Sequence, residues 1–162
     1  FYIFMDKLNP EKKRISRYIC LQIIYSSELS LSSDSKKHDT VFTKHFLRDL
    51  EDSFGKLSKA QLSYSKKLYE ASIQNKKFID QLIQERLKNW DISRLAIIDK
   101  IILRMSASEM FFVDDVPPKV SIAEGVEIAK VFSTNDSSSF VNGILDAIYN
   151  DVYMKDKKGA KV

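Results

Sequence analysis

The stretch VFSTNDSSSFVNGILD, Val131 to Asp146, decides between a β-hairpin and a helix. Its Asn142-Gly143 pair is the strongest short signal for a hairpin turn, and hairpin strands alternate apolar with polar residues. The apolar residues instead recur at helical spacing. They stand at positions 140, 141, 144, 145, 148 and 152. The stretch therefore predicts a helix that opens near Asp136, a residue type that caps helix starts.

Gly143 lies inside this predicted helix. A glycine in a helix interior costs about 1 kcal/mol relative to Ala, so a compensating role is expected. We expect Gly143 to let another helix approach closely, where a Cβ atom would collide.

Helical spacing recurs along the rest of the chain, and no segment alternates with period two over a useful length. The predicted helices are 11–29, 40–56, 58–87 with a break near Gln74-Asn75, about 95–112, 118–131, and the helix opening near Asp136. Asp91 or Ser93 is expected to cap the apolar helix at about 95–112, and Pro118 suits the start of the helix 118–131. The pattern predicts an all-α protein of about seven helices.

Composition supports this class. The chain has 162 residues, with 4 Gly and 3 Pro, which disfavours a turn-rich β architecture. The single cysteine, Cys20, excludes an internal disulfide and favours a reducing, cytoplasmic compartment. No apolar run approaches the roughly 20 residues that span a bilayer.

The expected organisation is one helical domain, 11–154, with a flexible amino-terminal extension, 1–10, and a basic flexible tail, 155–162. The opening FYIF is too short for a signal-peptide core and has no basic residues before it. Since Met5 follows it, Met5 is a candidate for the true start.

The sequence lacks the usual signatures of a catalytic or metal site. His38 and His45 are too few, and too far from Cys20, for metal-ligand spacing. No glycine-rich loop follows a strand, and no nucleophile stands beside a base. Asp114-Asp115, beside two prolines, is interpreted as a solvated loop. We therefore predict neither an enzyme nor a bound metal or cofactor.

Charge is distributed unevenly. Residues 1–89 carry 17 Lys and Arg against 11 Asp and Glu, whereas residues 90–154 carry 5 against 10. A basic half and an acidic half indicate two partners of opposite charge. The alternative is chance in a lysine-rich chain.

The motif KKRISRY concentrates the positive charge in Lys12, Lys13, Arg14 and Arg17. Lys13 and Arg17 share a helix face because they lie four residues apart. Such a cluster neutralises phosphates, and four contacts to a single strand would give a salt slope of roughly −3. The alternative is a solvated helix end. Four aromatic residues are candidates for base stacking, with core packing as the alternative for each: Tyr18, Tyr25, Phe78 and Phe140.

Residues 94–148 closely resemble the NusB family of transcription antitermination factors. The matching pieces are IDKIILRMSASEM, DVPPKVSIAEGVEIAKVF and DSSSFVNGILD. The segment KKRISRYICLQIIYSSE is similar to the family's basic first helix, with Arg14, Arg17, Gln22 and Tyr25 aligned. It departs from the family at Ile15, where another Arg is frequent, and at Tyr18, where Glu is common.

The resemblance implies two packed helical subdomains that bind boxA, a short single-stranded RNA element of nascent ribosomal RNA transcripts. It also implies a heterodimer with NusE, a small-subunit ribosomal protein, and work within the elongation complex of RNA polymerase and other Nus factors. By family position, Asp136 accepts from a base edge, Phe140 stacks on a base, and Asp99 is a contact to NusE whose charge reversal would spare the fold. Homodimerisation without NusE is left open.

Two alternatives remain at this point. The protein could be a helical protein–protein adaptor without RNA affinity, its basic residues merely solvated. It could also be a stand-alone relative of the NusB-like domain of ribosomal RNA cytosine methyltransferases, although no methyltransferase motif is present. Asp136 could also be only a helix cap, a role compatible with RNA contact.

Overall fold

The computed structural model describes residues 10–30 and 44–159, which are almost entirely helical. The α-helices are α1 (Pro10–Ser30), α2 (Lys44–Phe54), α3 (Lys59–Gln74), α4 (Lys76–Gln84), α5 (Ile97–Phe112), α6 (Pro118–Phe132), α7 (Asn135–Ile148) and α8 (Met154–Gly159). A π-helical segment, Tyr149–Tyr153, joins α7 to α8 as one continuous helix. The described residues contain no β-strand, and the all-α prediction of about seven helices is confirmed.

The helix boundaries follow local signals in the sequence. The break predicted near Gln74-Asn75 is present, and the Asn75 side-chain amide donates to the Ala71 carbonyl at 2.9 Å. Pro118 is the first residue of α6, where its missing N–H would have had no partner in the helix.

The predicted ends of the chain fall partly outside the described residues. Of the predicted helix 40–56, the structure has Lys44–Phe54, and residues 40–43 are not among those described. The predicted extension overlaps the described chain only at residue 10. The predicted tail overlaps α8 at residues 155–159.

The chain divides into two compact units, Phe1–Tyr69 and Glu70–Val162. In the first unit, α2 is followed by Gly55, whose φ of +78° is the left-handed conformation that favours glycine. Ser58 then caps α3 in a reciprocal box. Its Oγ accepts from the Gln61 amide at 3.2 Å, and Gln61 Oε1 accepts from the Ser58 amide at 3.0 Å.

Two buried serines join α1 to α3. Ser65 Oγ donates to the Ser16 carbonyl at 3.1 Å, and Ser16 Oγ donates to the Gln61 carbonyl at 3.1 Å. Both serines are 0% exposed, so their hydroxyls need such partners inside the protein. These bonds fix α1, which carries the basic motif, against α3.

α5 is the central helix of the second unit. Every residue from Ile101 to Met110 is buried, so this part of the helix is covered on all sides. α4, α6 and α7 pack against it. An ion pair orients α4 on α5: Arg104 Nε donates to Asp80 Oδ1 at 2.6 Å, and Arg104 Nη2 donates to Asp80 Oδ2 at 2.9 Å.

The start of α5 differs from the prediction. Asp91 caps a short 3₁₀ turn, Ile92–Arg94, by accepting from the Ser93 amide at 2.8 Å. Hydrogen bonds from Ser93 hold the pKa of Asp91 below its ordinary value. α5 begins only at Ile97, after Ala96, which offers no side-chain cap. The predicted capping of α5 by Asp91 or Ser93 is therefore wrong.

The N-cap of α7 is Thr134. Its Oγ1 accepts from the Ser137 amide at 3.1 Å. The interpretation of Asp136 as the cap is wrong, because Asp136 already lies within the first turn and is exposed. A carboxylate in that turn is still favoured by the positive end of the helix dipole.

Gly143 does not have the role expected from the sequence. A Cβ atom placed there meets no atom within 4 Å. The close approach occurs instead at Gly125 of α6, where a Cβ atom would collide with Ser106 Oγ of α5. It would also lie 3.2 Å from Leu145 Cδ1 of α7. Gly125 therefore sets the spacing of these three helices, and no contact explains the glycine at 143.

The same substitution at these two glycines should have opposite effects. Gly143→Ala should raise the free energy of unfolding by about 0.5–1 kcal/mol, because the site is helical and open. Gly125→Ala should lower it by about 1–3 kcal/mol, because Ser106 must move. Thermal unfolding of both variants tests this, and a change of the same sign in both would contradict it.

Candidate nucleic-acid interface

The basic motif lies on the first two turns of α1. Lys12 is exposed, while Lys13 and Arg14 are half-buried. The amino-terminal end of a helix carries a partial positive charge. The three cations and the helix end thus produce one region of positive potential in the first unit.

Arg17, also predicted as a phosphate contact, is only 3% exposed. Its Cζ lies 6.0 Å from the centroid of the Tyr64 ring, and Lys13 Nζ lies 5.6 Å from the same centroid. Cation–π contacts of this kind stabilise packing. Arg17 therefore has almost no surface left for a ligand, and its guanidinium lies against Tyr64 of α3.

A second face of α1 carries other predicted residues. Arg14, Tyr18, Gln22 and Tyr25 stand at positions i, i+4, i+8 and i+11, so they share one face. All four are half-buried, and Tyr18 packs on Phe54 of α2 with ring centroids 6.3 Å apart. This face brings Gln22 and Tyr25 into line with Arg14.

In the second unit, α7 displays the predicted Asp136 and Phe140 one turn apart. Asp136 is exposed and Phe140 is half-buried. Val141 and Leu145, both 0% exposed, form the core face of the helix. Half-buried Phe140, next to this face, therefore lies at the edge of the core.

Asp99, predicted as a contact to a protein partner, is 7% exposed. Its Oδ1 accepts from Ser133 Oγ at 2.7 Å, and its Oδ2 accepts from Ser137 Oγ at 2.9 Å. Asp99 is therefore not the exposed rim charge that the expected sparing of the fold assumes. A lysine would break both hydrogen bonds and bury a cation beside hydroxyl groups.

Phe78 of α4 is 42% exposed. It contacts Phe111 and Phe112 at the end of α5, with ring centroids 5.9 Å and 6.2 Å away and edge-to-face angles of 86° and 72°. The structure thus groups Phe78 with the aromatic end of α5, whereas Phe140 lies on α7.

Sequence reasoning missed the hydroxyl groups that hold the start of α7. The polar run STNDSSS indicates capping, and it contains Ser133, Thr134 and Ser137. Its carboxylate partner Asp99 lies 34 residues before Ser133, so no local pattern connects them.

Across residues 10–30 and 44–159, no group of three His, Cys, Asp or Glu residues is placed to hold a metal ion. In the same part of the chain, no helix has both the length and the apolar character needed to cross a membrane.

The described residues form an all-helical fold, with candidate nucleic-acid contacts on α1 in the first unit and on α7 in the second. The sequence model of the NusB family matches residues 14–150. The chain belongs to the NusB family.

Three relatives share the name transcription antitermination protein NusB. The protein of Chloroherpeton thalassium is 40% identical over 143 residues, which are 88% of this chain and 64% of the relative. That of Syntrophus aciditrophicus is 33% identical over 90% of this chain and 84% of its own. The protein of Geotalea uraniireducens is 36% identical over 84% of this chain and 92% of its own length. The chain thus spans less than two thirds of the first relative.

Solved structures show the same fold. NusB of T. maritima superposes with a TM-score of 0.68 at 30% identity, over 85% of this chain and 90% of that one. A structure of antitermination factors NusB and NusE in complex with dsRNA gives a TM-score of 0.71 at 21% identity, over 88% and 99%. At that lower identity the likeness concerns the fold alone.

Proposed function

We propose that this protein is a cytoplasmic RNA-binding transcription antitermination factor. It recognises boxA-type single-stranded RNA in nascent ribosomal RNA transcripts together with NusE. The observation that carries the proposal is the pair on α7, exposed Asp136 and half-buried Phe140, in a chain of the NusB family. The shared name of the relatives supports it.

The chemistry of the α7 pair suits an unpaired base. A carboxylate accepts a hydrogen bond from an exocyclic amine such as cytosine N4. An aromatic ring at the edge of a core offers a face on which a base can stack, worth about 1–3 kcal/mol. The Thr134 cap holds this turn before RNA arrives, which reduces the ordering cost of binding.

α1 supplies the electrostatic part. Lys12, Lys13 and Arg14 neutralise phosphates and release counterions, which gives affinity for any single strand. Arg14 can also pair with a phosphate through two nitrogens, whereas lysine acts as a point charge. Gln22 and Tyr25, on the same face as Arg14, add a hydrogen-bonding amide and an aromatic ring.

A salt titration with boxA-type RNA and a scrambled RNA tests the proposal. We expect tighter binding of the boxA-type RNA at each salt concentration. Three phosphate contacts from α1 contribute about −2 to the salt slope, less than four would because Arg17 is buried. Changing Lys12 and Arg14 together to Ala should reduce the affinity for both RNAs by similar factors. The salt slope should become less steep by about 1.4.

A matched control removes the same charge elsewhere. Lys88 and Lys155 are exposed and lie in the second unit, and their replacement by Ala should leave the slope unchanged. If the α1 variant also keeps its slope, α1 is not part of the RNA site. Equal affinity of the unaltered protein for both RNAs would contradict recognition of boxA-type RNA, and no measurable binding of either RNA would favour the adaptor function.

The acidic segment 90–154, with 5 basic against 10 acidic residues, supports NusE as the protein partner. We propose that NusE docks on this segment by charge complementarity, which accelerates association. The elongation complex of RNA polymerase with other Nus factors is then the place of action. Calorimetric titration of the full chain with NusE, with and without RNA, tests the partnership, and the absence of binding heat at several temperatures would contradict it.

A further inference from the structure

A buried carboxylate connects α5 to the turn between α6 and α7. Asp99 belongs to the first turn of α5. Its two oxygens accept from Ser133 and Ser137, which follow it by 34 and 38 residues. Both carboxylate oxygens are thus bound to hydroxyls of a single short segment.

The same hydroxyls form the cap of α7. The Ser137 amide donates to Thr134 Oγ1 at 3.1 Å. Ser133 Oγ and Ser137 Oγ also lie 3.0 Å apart, and the Thr134 hydroxyl is placed to donate to Ser137 Oγ at 2.9 Å. Asp99, the two serines and Thr134 therefore make one connected network around the start of α7. Hydrogen bonds that carboxylates accept are stronger than those between neutral groups.

This turn carries Asp136, and Phe140 follows in the next turn; RNA recognition is proposed to depend on both. Helix starts leave backbone N–H groups without helical partners and open readily. We propose that Asp99 is a positioning residue for RNA binding. Its carboxylate fixes the first turn of α7 against α5 and thereby sets the direction of Asp136 and Phe140. The RNA part of this inference rests on the proposed function, whereas the ordering of the turn does not.

Two variants test the inference: Asp99→Asn, which alters the carboxylate itself, and the milder Ser137→Ala, which alters one of its partners. The amide of Asp99→Asn keeps one acceptor oxygen and presents a donor to the other serine. Ser137→Ala removes the bond from Ser137 to Asp99 together with the hydroxyl contacts of Ser137 to Ser133 and Thr134. It leaves the Ser133 bond to Asp99, so it serves if Asp99→Asn does not fold. Ser139→Ala, at an exposed serine of the same helix, is the matched control.

The first measurement is amide hydrogen exchange of residues 134–138 in the free protein. We expect faster exchange in Asp99→Asn and Ser137→Ala and no change in Ser139→Ala, because only the first two loosen the turn. Unchanged exchange in both test variants would overturn the inference.

The second measurement is affinity for boxA-type RNA well below the melting temperature. We expect a loss of about tenfold with the salt slope unchanged, because the phosphate contacts remain. When Phe140→Ala is already present, Asp99→Asn or Ser137→Ala should reduce RNA affinity much less, because the ring that Asp99 orients is absent. A purely structural role would lower the melting temperature but leave the affinity of the folded variant intact.

The two failures are distinguishable. If the unaltered protein does not prefer boxA-type RNA, the proposed function is overturned, and the role of Asp99 in RNA binding is overturned with it. If the unaltered protein does prefer it while Ser137→Ala binds equally well, only the positioning role is overturned.

Discussion

Asp80→Asn should lower the free energy of unfolding by about 3 kcal/mol. The Arg104 side chain is 10% exposed and that of Asp80 is 25% exposed, so the pair is largely withdrawn from water. Removing the negative charge leaves a buried guanidinium without its bidentate carboxylate, which costs more than the pair itself contributes. For a chain of this length the melting temperature should fall by roughly 6–12 °C. Thermal unfolding followed by circular dichroism measures this.

Two further variants show whether the cause is burial. Glu127→Gln removes a pair of similar length, Glu127–Lys130 at 2.7 Å, whose side chains are about half exposed. It should change stability by less than about 1 kcal/mol. Replacing Asp80 by Leu together with Arg104 by Met should recover most of the loss, because apolar groups can fill a buried ion-pair site without desolvation cost. A melting temperature for Asp80→Asn within two degrees of the unaltered protein would show that the pair does not fix α4 on α5.

Phe140→Ala should weaken binding of boxA-type RNA by about 1–3 kcal/mol, the usual contribution of one stacked base. Truncation of a core phenylalanine costs about 3–5 kcal/mol of stability. Phe140 is only half-buried, so its truncation should cost less than about 2 kcal/mol of folding free energy. The expected result is therefore a loss of affinity together with a loss of stability smaller than that of a core phenylalanine, both measured on the same variant.

Leu145→Ala, in the same helix, should reduce stability rather than RNA affinity. Leu145 is 0% exposed, and its truncation should cost about 2–5 kcal/mol of stability while the folded protein still binds RNA. Phe140→Tyr keeps an aromatic face and should retain most of the affinity. A Phe140→Ala protein that melts much earlier, yet binds RNA normally when folded, would place this ring in the core.

The helices could be predicted from the sequence because their signals are local. The break at Asn75 and the start at Pro118 depend on residues within one or two turns. The apolar spacing across Asn142-Gly143 outweighs the hairpin signal for the same reason.

The roles of the two helical glycines were decided by tertiary structure. Gly125 and Gly143 both stand inside helices and cannot be distinguished by local sequence. Ser106 of α5 lies against Gly125, and nothing lies within 4 Å of a Cβ atom at Gly143. Which residue faces a glycine depends on the packing of separate helices, and periodicity does not specify it.

The features of the candidate site also fall into two groups, those that the sequence predicts and those that depend on tertiary structure. The sequence by itself determined the fold class, the positive charge of α1 and the motif that contains Asp136 and Phe140. Only the tertiary structure decided that Arg17 is buried beside Tyr64 and that Asp99 is bound by Ser133 and Ser137. The identity of a charged residue does not show whether its side chain is exposed or buried. Its burial and its hydrogen-bond partners are set by residues distant in the chain, which only folding brings beside it.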